Sequence, residues 1–215
     1  MSPAATTTRR RASPNKADRR LPMAPLKIGL TGGIAAGKSE ALKAFARLGA
    51  ATLSSDAVVH ELLESDELRQ RLVERWGPEV APEGKIERAK IGEVVFADPE
   101  QLTWLESQIH PLVQERTGAW LMSLPPDTGV AVVEVPLLFE AGNHEAFDAT
   151  VAVVTDDEVR RERAAARGHA LVDEREARQL TQPEKAARAT YVVANDGSVE
   201  ELEQALSALL EKLRR

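Results

Sequence analysis

The sequence predicts an α/β fold: a five-stranded parallel sheet with a long helical insertion. Three observations predict it. Five short apolar runs, at 26–30, 50–54, 130–135, 148–154 and 190–194, read as buried strands. Stretches with helical periodicity separate them, the order that winds a parallel sheet. The stretch between the second and third runs is much longer than one crossover helix needs, so it reads as an inserted helical subdomain.

Taken in order, "LKIGL" at 26–30 ends in the Gly-rich turn "TGGIAAGKSE". A helix is expected over 38–48, with Leu42, Phe45, Ala46 and Leu48 at helical spacing and Gly49 ending it. The second strand, 50–54, leads into a helix over 56–76 that carries Val59, Leu62, Leu63, Leu68, Leu72, Val73 and Trp76. Residues 77–87 are rich in turn formers and interrupt it. Helical periodicity resumes at 88 and runs to about 123, with breaks expected near Asp98-Pro99 and at His110-Pro111, because proline pushes the preceding residue out of the α region. The third strand precedes a loop led by Pro136. Residues 156–167 and 173–189 read as charged helices on either side of a short gap. The last helix, 198–213, lines up Val199, Leu202, Leu206, Leu209 and Leu213 on one face.

Composition narrows the function. The 215 residues suit one α/β domain, or a core with inserted subdomains, and 43% apolar with 29% charged residues is ordinary for a soluble protein. With no cysteine, disulfides and thiolate metal sites are excluded. No apolar run approaches the roughly 20 residues that span a bilayer, so no membrane is expected and the cytoplasm is the default. Setting aside the six basic and one acidic residues among 1–20 leaves 22 basic against 33 acidic residues, a net of −11. A body of that sign does not favour nucleic acid. Residues 1–25 carry Pro, Thr and Arg without apolar periodicity and are read as a disordered extension. It has no signal-peptide core. Met23, just before the first strand, leaves a misplaced start open, and a targeting or binding arm is the other alternative.

Gly32 is followed, after four residues, by Gly37-Lys38-Ser39, between a strand and a helix. That context makes the spacing a triphosphate-binding loop. Glycines let backbone N–H groups close on phosphate oxygens, and the helix N-terminus adds partial positive charge. Gly33, Ile34, Ala35, Ala36, Gly37, Lys38, Ser39 and Glu40 are the candidate ATP-binding residues. Lys38 is expected on the β and γ phosphates and Ser39 on Mg²⁺. The Glu40 carboxylate would repel a triphosphate and is expected to face away. Asp56, after the second strand, lies on the same sheet edge. It is either a helix N-cap or the base that takes a proton from an attacking hydroxyl.

Arg160, Arg163 and Arg167 share one helix face, which is either solvated or turned toward phosphates. Glu134, ending the third strand, is either a Mg²⁺ carboxylate or a structural one. Asn195 lies in "ANDG", a turn signal. His110-Pro111 either breaks a helix or marks a subdomain boundary, and the other histidines have no metal-ligand spacing.

Together "IGLTGGIAAGKS", "SSDAVVHELL", "IHPLV", "VVEVPLLFEAG" and "RQLTQPEKAARATYVVANDGS" resemble the dephospho-CoA kinase family, in order over about residues 26 to 213. The resemblance implies a P-loop kinase core (26–56, 111–155 and 190–215), a helical substrate subdomain at about 57–110 and a helical lid at about 156–189. It implies ATP with Mg²⁺ as donor and the ribose 3′-hydroxyl of dephospho-CoA as acceptor. It favours Asp56 as base and Arg163 and Arg167 as lid arginines, and it places Asn195 beside adenine. Oligomeric state is left open. The sequence departs from the family pattern at Ser54, where an acid is frequent, at Glu40, where Ser or Thr is common, and at Thr190, where Asp is common.

Overall fold

The structure is a computed structural model, and it describes residues 24–166 and 179–213. The five expected strands are present as β1 (Leu26–Gly32), β2 (Ala51–Ser54), β3 (Val130–Glu134), β4 (Ala149–Val154) and β5 (Tyr191–Ala194). They form one sheet in the order β2-β3-β1-β4-β5, and every neighbouring pair is parallel. Strands covered on both faces need continuous apolar runs rather than alternation. β3 illustrates this: all five of its residues are buried.

One face of the sheet packs on α1 (Lys38–Arg47) and on the last helix. Ile28, Leu30, Val132, Val151 and Val153 of the sheet meet Ala44 and Phe45 of α1 and Leu202 and Leu206 of the last helix. α1 ends at Leu48, and Gly49 follows with φ 84°, a backbone state that favours glycine.

Between β2 and β3 lie α2 (Ser55–Glu64), α3 (Asp66–Trp76), α4 (Arg88–Ala97) and α5 (Pro99–Ser123). They build a second core from Val58, Leu62, Leu68, Leu72, Ile91 and Leu105. After β4 come α6 (Asp157–Ala166), α7 (Gln182–Arg188) and α8 (Val199–Leu213).

Three expectations are corrected. Of the helix expected over 173–189, the described part begins only at Gln182, where Thr181 caps it, and 167–178 lie outside the described residues. The single helix over 56–76 is two helices, divided at Ser65. Ser65 Oγ donates to the Leu62 carbonyl at 2.6 Å and accepts from Leu68 N at 3.3 Å. A serine that offers the backbone these local bonds closes one helix and caps the next. The break at His110-Pro111 is also absent, because α5 runs through Pro111. Proline removes the N–H that would bond the carbonyl of Ser107, but both residues are exposed and water can serve that carbonyl. The break at Asp98-Pro99 is present: Asp98 Oδ1 accepts from Glu100 N at 2.8 Å, and Pro99 opens α5.

Phe45 is fully buried between the sheet and α8. Phe45→Ala is expected to lower the unfolding free energy by about 3–5 kcal/mol in urea denaturation, the usual cost of emptying an aromatic core position.

Candidate active site

Three parallel strand ends bring the candidate residues together. Glu134, the last residue of β3, is in register with Leu30 of β1 on one side and Ser54 of β2 on the other. The loop after β1 and the helix after β2 therefore begin on either side of it.

The loop at 33–37 turns tightly. Ala35 (φ 61°) and Gly37 (φ 94°) both take left-handed backbone, and Ala36 N donates to the Gly33 carbonyl at 3.2 Å. Such a succession of turns aims N–H groups into a concave nest for anions. Lys38 Nζ reaches back over the loop to the carbonyls of Gly32 at 3.1 Å and Gly33 at 2.9 Å. Ser39, in the first turn of α1, is exposed.

Asn195 fastens the loop from the far side of the sheet. It is 7% exposed, and its Nδ2 donates to the Ala36 carbonyl at 2.9 Å. A Cβ at Gly37 would run into that same Nδ2, so glycine is required there for close approach as well as for φ. The Asn195 carbonyl accepts from Arg163 Nη1 at 2.8 Å and from Thr155 Oγ1 at 3.0 Å. Arg163 is thereby held at the loop, 3.9 Å from where a Gly37 Cβ would stand. Arg167 lies outside the described residues.

Glu134 is 4% exposed, and burial pushes its carboxyl above the ordinary glutamate range. The Lys38 charge pulls the other way, the Asp56 carboxylate adds to the upward push, and the Ser54 and Ser39 hydroxyls hold it down by hydrogen bonding. Ser54 is in register with Glu134 two residues before Asp56, and Leu30 is in register with it on the strand that leads into the Lys38–Ser39 loop, so the strand ends carry these residues to one edge.

Asp56 sits inside the first turn of α2, whose N-cap is Ser54. It therefore does not cap the helix. Its side chain is exposed and lines a cavity of about 210 Å³ with Val59, Glu106, Ile109, His110 and Pro136. His110 thus stands in the wall of the pocket beside Asp56. On the other side of the loop, Gly33, Ile34, Arg160, Leu180, Thr181 and Gln182 enclose about 370 Å³.

The three sequence departures have local explanations. The Glu40 carboxylate is turned to the helix surface, 3.2 Å from Arg47 Nη2 and 3.7 Å from Lys43 Nζ. Ser54 bonds Glu134. Thr190 is away from the loop, where its Oγ1 accepts from Thr150 N at 3.1 Å.

Sequence reasoning passed over Gln182. Its side-chain amide pairs with both backbone groups of Thr155, each at 3.0 Å, and its Cγ abuts Gly33. Its place in "LTQPEK" was visible, but a partner 27 residues away gives no local signal.

Among the described residues no cluster of three or more His, Asp or Glu could hold a metal. Ser39 at the start of α1 and Glu134 at the end of β3 supply one hydroxyl and one carboxylate at this edge of the sheet. That sparse oxygen set suits Mg²⁺, which keeps several waters and takes phosphate oxygens.

A family model described as dephospho-CoA kinase matches residues 26–201. A curated dephospho-CoA kinase of Protochlamydia amoebophila is 35% identical over 195 residues, covering 87% of this chain and 96% of that protein. A crystal structure of a Thermus thermophilus protein superposes with a TM-score of 0.77 at 35% identity, covering 89% of this chain and 99% of that one. Dephospho-CoA kinase from Campylobacter jejuni gives a TM-score of 0.65 at 25% identity, covering 87% and 96% of the two chains.

A carboxyl protonated more readily in the fold than in the unfolded chain adds stability below its unfolded pKa and loses it as pH rises through the folded one. The ionised Glu134 is thus a cost at neutral pH. Glu134→Gln removes the charge and nearly keeps the volume. Its unfolding free energy is expected to match or exceed the parent's at pH 8 in urea titrations, with the difference shrinking toward pH 4. A variant clearly less stable at pH 8 would show that the Lys38 and serine contacts outweigh burial.

Proposed function

The chain belongs to the dephospho-CoA kinase family, and from that premise we propose which of its residues carry the reaction. Its activity is ATP-dependent phosphorylation of the ribose 3′-hydroxyl of dephospho-CoA, the last step of coenzyme A biosynthesis. The observation that supports the residue roles best is the register of Glu134 with Leu30 and Ser54, which starts the Lys38–Ser39 loop and the Asp56 helix on either side of it at one sheet edge.

The backbone amides of 33–39 hold the triphosphate, and Lys38 binds its β and γ phosphates. Ser39 and Glu134 would hold Mg²⁺, which when bound neutralises charge on the transferring phosphoryl group. Asp56 orients the 3′-hydroxyl and accepts its proton as the oxygen attacks the γ-phosphorus; the Pγ–O bond to ADP breaks as the new bond forms. Arg163, steadied by the Asn195 carbonyl, balances charge on the transferring group. Arg167 takes the same role by its place in the sequence. Asn195 shapes the loop through Ala36, and its match to the family pattern supports a place beside adenine.

Residues of about 57–110 serve as the substrate subdomain and about 156–189 as the lid, on a core of 26–56, 111–155 and 190–215. The cavity between Asp56 and α5 receives the acceptor. No helix among the described residues is long and apolar enough to cross a membrane, and the acidic body disfavours nucleic acid. The enzyme then acts in the cytoplasm on a small-molecule acceptor.

Asp56→Asn is expected to lower kcat by about 10²–10⁴ while ATP affinity stays unchanged. ADP release with dephospho-CoA, adenosine and other nucleosides as acceptors tests the reading as a whole. The expected result is a strong preference for dephospho-CoA; equal rates across the panel would contradict it.

A further inference from the structure

We propose that Lys185 and Glu140 are positioning residues that couple the ATP side of the site to the acceptor side, an inference that rests on the function proposed above. Lys185 opens no route to solvent: it is 0% exposed, on α7. Its Nζ lies 3.0 Å from Glu140 Oε1 and 2.5 Å from the Pro136 carbonyl. Glu140 Oε1 also accepts from Leu180 N at 2.8 Å, and the Pro136 carbonyl also accepts from Thr31 Oγ1 at 3.2 Å.

Pro136, Leu180 and Thr31 belong to three different parts of the site. Pro136 borders the pocket that contains Asp56. Leu180 borders the cavity beside Gly33 and Ile34. Thr31 lies in β1, at the root of the phosphate loop. Lys185 and Glu140 join all three through one buried contact. A shift of the 179–183 segment therefore moves the Pro136 loop, or else breaks a bond in the interior.

Stability alone is a poor reason for this pair. Taking two charges out of water costs about as much as their attraction returns, and well-packed apolar pairs often do better. Burial also pushes the Lys185 ammonium below its ordinary pKa, against the Glu140 interaction that supports it. Glu140 Oε2 is buried with no partner among the described residues. The pair is arranged for a fixed connection rather than for full hydrogen bonding.

Calorimetric titration tests the coupling. A non-hydrolysable ATP analogue and dephospho-CoA are titrated singly, and then each in the presence of the other. In the parent, either ligand is expected to tighten the other by about fivefold or more, in the range of ordinary coupling between sites. In Lys185→Met/Glu140→Gln, which removes both charges together, each ligand alone should bind within about threefold of the parent while the mutual effect falls to about one. Glu140→Gln alone keeps an acceptor for Leu180 N and should show the same loss in smaller degree, and it carries the test if the double variant does not fold. A parent without coupling, or variants with coupling intact, would overturn the inference. Failure of the parent to bind dephospho-CoA would instead sink the functional reading.

Discussion

All five strands run the same way, so their C-terminal ends share a single edge, and the remaining features of the molecule depend on that constraint. Parallel strands leave their loops and helix starts together at one end of the sheet. With β1 between β3 and β4, the phosphate loop rises at the point where the chain turns to both sides. β3 supplies Glu134 next to it, and β2 delivers Asp56 one position further out. The phosphate loop and the proposed base, Asp56, are neighbours because the sheet is wound this way.

The same edge concentrates the molecule's electrostatic strain. Glu134 is buried, raised in pKa and adjacent to Asp56, and its compensation comes from Lys38 and two serine hydroxyls. Ser54 and Asp56 lie two residues apart at this edge: the serine is in register with Glu134 and holds the N-cap position of α2, and the aspartate follows inside the first turn. The absence of an acid at Ser54 is therefore consistent with the site, since a third carboxylate would deepen the repulsion around Glu134.

The strands were legible to within one or two residues, because continuous apolar runs between helical stretches have few other readings. Helix divisions were less so. Ser65 splits a helix through two short local bonds that periodicity does not register, and Pro111 fails to break one because its surroundings are exposed. For the site, Lys38, Ser39, Asp56 and Glu134 could be named from spacing, resemblance and position at strand ends. What holds them could not. Asn195 meets Ala36 across 159 residues, Lys185 meets Pro136 across 49, and Gln182 meets Thr155 across 27. Those pairings exist only once the sheet is assembled.

In the proposed reaction, Asp56 faces the acceptor hydroxyl across from a triphosphate held by Lys38 and Ser39. A crystal structure of the enzyme with dephospho-CoA and a non-hydrolysable ATP analogue tests it most directly. The ribose 3′-oxygen is expected within hydrogen-bond reach of the Asp56 carboxylate, about 2.6–3.2 Å, and in line with the γ-phosphorus. A complex in which another group faces Asp56, or in which the 3′-oxygen lies beyond reach of it, would contradict the account.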